Sequence, residues 1–266
     1  LIPVYTKFLS TSEVGTIALI ELIELLIIQI GSMSIGQAIW RQLSKNNSVH
    51  DHRVIMSGFV YLMVLNFFLL GFIALFKSSI ASFLGITDSM HHWWVYLILM
   101  NTFFQFSVNY LLQIWLYHQK PIYYVAFSLS QLVSTLLLSL YFVVHKSMGL
   151  FGVIQAKTFV LFFLFFISSL TVVYNYKSLP SIPIIKKLLK FGLPLVGVSF
   201  TIPVLTMADR FFLNMFVPLS IIGIYSINYK FGMLINMFLI TPFQRGLMPI
   251  VFREGLNNGM RPIYRD

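Results

Sequence analysis

The chain has 266 residues, 58% of them hydrophobic and only 10% charged, with a net charge of +10 and no cysteine. So few charges leave no room for a soluble domain, and the missing cysteine excludes a disulfide framework and a thiolate metal site. What remains is a set of long apolar stretches cut by short polar loops, the pattern of an integral membrane protein, since about 18 apolar residues at about 1.5 Å each cross a hydrocarbon core of about 30 Å.

Taken in chain order, the stretches predict seven spans, at residues 15–38, 54–76, 93–117, 122–144, 149–173, 188–206 and 219–244. All are expected to be helices, because an irregular crossing leaves backbone donors and acceptors unpaired in lipid, and a barrel strand needs only about ten alternating residues. The fold class is therefore all-α and polytopic. Trp40, Trp93, Trp94 and Trp115 fall at or just beyond span ends, where an amphipathic ring sits best.

The first span carries Glu21, Glu24, Gln29 and Ser32 within an arc of about 140°, so one of its faces is polar. Arg41 follows at its end, where it either snorkels to the interface or contacts phosphate. His50-Asp51-His52 has metal-like residue types but lacks a third ligand at a recognisable spacing. In the third span Asn101, Gln105, Asn109 and Gln113 recur at intervals of four, a stripe drifting about 40° per step. Such amides are either helix–helix glue or the wall of a wetted cavity, with Asn66, Gln131, Asn228 and Asn236 as possible neighbours. His91 and His92 read as interfacial. Lys157 and Lys230 lie inside the fifth and seventh spans, and Pro194, Pro203 and Pro242 offer kinks. Asp209 and Arg210 fall at a span end and read as structural.

The loops alternate in charge. One side collects Arg41, Lys45, Arg53, Lys120, Lys177, Lys186, Lys187, Lys190, Arg245, Arg253, Arg261 and Arg265, the other only Lys7, Lys77, Lys146 and Arg210, which places the first group in the cytoplasm. Basic residues so placed anchor to anionic membrane lipids, not nucleic acid. Pro180 and Pro183 in Asn175 to Ile185 (NYKSLPSIPII) argue against a regular helix there and suggest a linker. The opening at Leu1, with Leu1 to Val4 resembling the tail of a span, and the polar stop at Asp266 suggest a fragment.

Phe8 to Gly15 (FLSTSEVG) overlays Phe216 to Gly223 (FVPLSIIG) at an offset of 208, each copy ending in a glycine just before or within a new span. This suggests a second half that repeats the first. The expected division is a first lobe over 1–174, a cytoplasmic linker over 175–187, and the start of a second lobe over 188–266.

Phe191-Gly192-Leu193-Pro194, Ala208-Asp209-Arg210-Phe211-Phe212-Leu213, Gly223-Ile224-Tyr225-Ser226 and Lys230-Phe231 resemble the middle of Wzx-like flippases for polysaccharides and lipid-linked oligosaccharides, and Ile2-Pro3-Val4, Leu9-Ser10, Val14-Gly15 and Gly31 to Arg41 (GSMSIGQAIWR) resemble their start. That family lies in the MOP superfamily with the multidrug MATE transporters. The resemblance implies two lobes of six helices around a central cavity, a place in the cytoplasmic (inner) membrane, no cofactor, and alternating-access movement of an isoprenoid-diphosphate-linked oligosaccharide. A MATE-type ion-coupled efflux transporter is the alternative. A membrane glycan polymerase or ligase is less well matched, since the loops hold no acid–base pair or Gly-rich phosphate cradle.

Within that reading Glu21 and Glu24 are candidates for a coupling ion, a proton or sodium, while Lys157, Lys230, Asn101, Gln105, Asn109 and Arg41 are candidates for the substrate passage. The competing reading is structural. Glu24 and Lys157 lie at matching depths of about 12 to 14 Å, which suits a fixed salt bridge.

Overall fold

The computed structural model describes residues 7–43, 48–86 and 93–236. In chain order the helices are α1 (Thr11–Gly31), α2 (Ile35–Gln42), α3 (Ser48–Ala74), α4 (Lys77–Phe83), α5 (Trp94–Tyr117), α6 (Pro121–Leu140, continued by a π-helical turn at Tyr141–His145), α7 (Gly149–Asn175), α8 (Ile182–Phe216) and α9 (Leu219–Ile235). The described residues hold no strand. Among the described residues five segments are long and apolar enough to span a membrane, namely Thr11–Gln42, Val49–Ala74, Trp94–Tyr117, Pro121–His145 and Gly149–Asn175. The protein is thus an all-α, multi-pass membrane protein. Among the described residues, those up to Gly223 form one compact unit and those from Ile224 a second.

α1 begins at Ser10 because a capping box forms: the Ser10 hydroxyl accepts from the Glu13 N–H, and the Glu13 carboxylate accepts from the Ser10 N–H at 2.8 Å. The first span was expected to run unbroken over 15–38. Instead α1 stops at Gly31, because Met33 and Ser34 both take the left-handed conformation (φ 47° and 48°), and α2 restarts beyond them. The break frees the Gly31 carbonyl from its helical ladder, and the buried Asn66 of α3 takes it up, donating to Gly31 O at 3.1 Å and to Leu62 O at 2.8 Å. Gly31 is required for this approach, since a Cβ there would come within 2.1 Å of Asn66 Oδ1.

Pro183 does not prevent a helix. It sits in the first turn of α8, where the missing N–H has no intrahelical acceptor to lose. Helix therefore starts at Ile182, ahead of the expected span start at 188, and continues through Pro194 and Pro203 to Phe216. The short α4 lies between the second and third spans and was not anticipated. Residues 237–244 of the seventh span, with Pro242, lie outside the described residues, as do His91 and His92.

Packing is closest between α5 and α7. There the Ser107 hydroxyl lies 2.8 Å from that of Ser168 and 2.9 Å from that of Ser169, and Phe104 packs on Phe162 and Phe165. Small hydroxyls let the backbones approach while satisfying one another in an apolar medium. A second core joins α2, α3, α5 and α8 through Ile35, Ile39, Ile55, Phe106 and Leu188. Helix ends gather in two sets. One holds Glu13, Leu84, Leu150 and Leu219; the other holds Arg41, His52, His118, Tyr176 and Phe191.

Candidate translocation cavity

The polar arc of α1 splits between two environments. Glu24 is 5% exposed and forms an ion pair with Lys157 Nζ of α7, the pairing that matched depths anticipated. Only Glu24 Oε2 is engaged; its buried Oε1 has no hydrogen-bond partner among the described residues. Glu21, one turn away, is partly buried. Gln29 and Ser32, further along, face open space instead.

The amide stripe of α5 divides in the same way, and its drift explains how. Over the 12 residues from Asn101 to Gln113 the stripe turns by about 120°, so its first members are enclosed and its last reach the open space beside α2. Asn101 is buried, with Oδ1 unpartnered among the described residues. Gln105 sits in a relay: Gln131 Nε2 of α6 donates to Gln105 Oε1 at 2.9 Å, and Gln105 Nε2 donates to Asn109 Oδ1 at 2.9 Å. Asn109 and Gln113 then border the same open space as Gln29 and Ser32.

That space is a cavity of about 510 Å³ between α1, α2, α5 and α8. The α1–α2 break creates it by turning the chain aside, and Ser34 and Gln37 from the restarted segment join the lining opposite Ser199 of α8. The Ser34 and Ser199 hydroxyls are 3.3 Å apart, and Trp40 Nε1 donates to the Gln113 carbonyl at 3.3 Å. Amides and hydroxyls dominate the polar lining, and none of the lining residues is charged. Such a wall supplies donors and acceptors to hydroxyl-rich groups without fixing a charge. Ser34, Gln37, Tyr124 and Ser199 were not anticipated as lining residues. The signal was present in the Gly- and Ser-rich stretch Gly31 to Gly36, whose residue types favour interruption of a helix.

Arg41 does not reach this cavity. It lines a separate pocket with Lys187 and Lys190, its guanidinium carbon 4.5 Å from the centre of the Phe191 ring. Lys230 belongs to the second unit, as do Asn228, whose Nδ2 donates back to Ile224 O at 3.0 Å, and Asn236. Arg210 is buried at the Glu13 end, with its Nη1 3.5 Å from Asp209 Oδ1.

At its Glu13 end α1 packs closely on the start of α9. A Cβ on Gly15 would lie 2.1 Å from the Leu219 carbonyl oxygen, and one on Gly223 would lie 2.0 Å from that of Thr11. These contacts are reciprocal under the 208-residue offset: Thr11 corresponds to Leu219 and Gly15 to Gly223, so each glycine meets the backbone of the other copy's equivalent position. At the opposite end His118 stacks on Tyr176 at 6.2 Å and His52 meets the same ring edge-on at 5.3 Å. Burial there, aided by Lys120, holds the His118 imidazole below its ordinary pKa.

The model of a family described as polysaccharide biosynthesis protein matches residues 1–254, and the chain belongs to that family, the Wzx-like flippases of the MOP superfamily. No curated protein and no solved structure shows a significant match.

Proposed function

Starting from membership of that family, we propose that the protein is a flippase that moves an isoprenoid-diphosphate-linked oligosaccharide from the cytoplasmic to the outer leaflet of the inner membrane. The observation that carries this reading is the contrast along α1, whose Glu13 end is sealed backbone to backbone while its other half borders an uncharged polar cavity. With the basic Arg41 end in the cytoplasm, that arrangement is an inward-facing carrier. Sugar hydroxyls would exchange water for the amides of Gln29, Gln37, Asn109 and Gln113, while the lipid tail stays in the bilayer.

The reciprocal glycine contact supports two repeated lobes; the first is placed over 1–174 and the second from 188, joined by 175–187, whose last six residues are already the start of α8. Outward opening would part Gly15 from Leu219 and Gly223 from Thr11. In this mechanism Glu24 holds the coupling proton or sodium ion, its unengaged Oε1 being the atom that would receive it, and Lys157 is the counter-charge released or retained as the ion binds. Lys230 is assigned to the second lobe's side of the passage.

The test is transport of a fluorescent lipid-linked oligosaccharide by the full-length protein in proteoliposomes, read by access of an external glycosidase. Glu24→Gln and Lys230→Ala are each expected to slow transport at least tenfold, and unchanged rates in both would exclude these residues from the passage. Exchanging the pair as Glu24→Lys with Lys157→Glu separates a strut from a working site: restored folding without transport supports coupling, while restored transport assigns the pair to structure alone.

A further inference from the structure

We infer that the pocket beside the cavity is a binding site for the phosphate head group of an anionic phospholipid of the surrounding leaflet. It measures about 460 Å³ and lies between the last turn of α2 and the first third of α8. Arg41, Lys187 and Lys190 bring three cations to it, Gln42 and His50 add polar groups, and no carboxylate is among its lining residues. Phe191 lies beneath the guanidinium of Arg41, and stacking of this kind holds the flat face of the fork while leaving its N–H edge for an anion. All three cations are exposed, so water screens their mutual repulsion, and an anion among them is attracted by each.

A second, independent feature points to an amphiphile. On α8 Val198 and Leu205 follow Lys187 at separations of 11 and 18 residues, which at about 100° per residue places them within about 20° of its direction. Val198 is 70% and Leu205 78% exposed. A cation at the foot of an exposed apolar stripe some 15 to 27 Å long is the layout that takes a head group at one end and an acyl chain along the rest. α2 also separates this pocket from the cavity: Gln37 and Trp40 border the cavity, whereas Ala38, Arg41 and Gln42 border the pocket. The geometry therefore assigns the pocket to a resident lipid and not to the transported one. This inference does not depend on the flippase reading, because it is tested by binding alone.

The experiment uses delipidated full-length protein in a maltoside detergent, titrated separately with dioleoylphosphatidylglycerol, dioleoylphosphatidylcholine, inorganic phosphate and a polyprenyl diphosphate. Thermal unfolding and retained lipid by native mass spectrometry are the readouts. Phosphatidylglycerol is expected to raise Tm and to be retained, with each of Arg41→Gln, Lys187→Gln and Lys190→Gln weakening its binding about fivefold. Val198→Ser is expected to weaken phosphatidylglycerol without changing any response to phosphate. An equal response to phosphatidylcholine, or undiminished binding in all three charge variants, would overturn the site. An equal response to inorganic phosphate would show a soluble-anion site, and displacement of phosphatidylglycerol by polyprenyl diphosphate at much lower concentration would show a cargo site; either overturns the assignment to a resident lipid.

Discussion

The two ends of the first span are built on opposite principles. At the Glu13 end the helix begins on a capping box, and two glycines bring backbones into van der Waals contact. At the other end the ladder is interrupted, a side-chain amide replaces a backbone partner, and the displaced segment opens a polar cavity. In the proposed carrier one helix thus seals at one end and opens at the other in the same conformation, since its two halves use their hydrogen-bonding capacity differently. Closure needs groups that demand nothing further, and a passage needs groups with capacity left over.

The sharpest way to break this contrast is at the glycines. Gly15→Val and Gly223→Val together force carbonyl oxygens apart by more than 1 Å, and overpacking of that kind is expected to cost about 4 kcal/mol across the two sites in chemical unfolding. Because the chain has no cysteine, access can be read with single introduced thiols. Thr16→Cys, at a buried position, should be inert to a membrane-impermeant reagent in the parent and reactive in the valine variant, whereas Gln29→Cys should react in both. Inert Thr16→Cys in the valine variant would mean that the glycines do not form the seal.

At the broken end, Asn66→Leu leaves the Gly31 carbonyl without its side-chain donor. A loss of about 1 to 3 kcal/mol is expected by the same unfolding measurement, together with a changed Gln29→Cys reaction rate as the cavity wall loosens. Glu13→Gln is milder, at about 1 kcal/mol, because the amide keeps one of the two acceptor oxygens and loses the other together with the charge.

The smallest effect concerns acid. The neutral form of His118 is favoured in the folded protein by burial, with Lys120 and His52 acting in the same direction and Asp51 opposing them. Its contribution is therefore complete above the ordinary value of 6.5 and declines as pH falls through and below it. Unfolding midpoints compared at pH 7.5 and 5.5 should drop slightly in the parent, and His118→Phe, which preserves the ring on Tyr176, should flatten that slope.

Much of this organisation was readable in the residues. Apolar length announced the first five of the seven expected spans, equal depth brought Glu24 and Lys157 together, and the 208-residue offset placed Gly15 and Gly223 in corresponding positions. What escaped was conformational. Nothing in hydrophobic periodicity distinguishes Ser34 in the left-handed region from Ser32 before it, because the carbonyl that the break sets free, that of Gly31, is taken up by Asn66 from another helix. Pro183 misled for a related reason: its effect depends on whether it falls in the first turn, and a sequence does not mark the turn. The amide stripe was visible as a line of four, but only packing against α6 and α7 decided that Asn101 and Gln105 are enclosed while Asn109 and Gln113 meet the cavity.

Glu13 bears on how the molecule is made. Its Oε2 serves the start of α1, while its Oε1 accepts the N–H of Leu150 at 2.9 Å, and Gly149 there adopts φ +52°. A Cβ on Gly149 would come within 2.6 Å of that oxygen. The two partners are 137 positions apart, so during synthesis the first helix carries a half-used acid until the ribosome has delivered the segment that completes it. Docking of α7 thereby completes the cap of α1, and a nascent chain that mislays the later segment leaves Oε1 without its Leu150 partner while Oε2 keeps the start of α1.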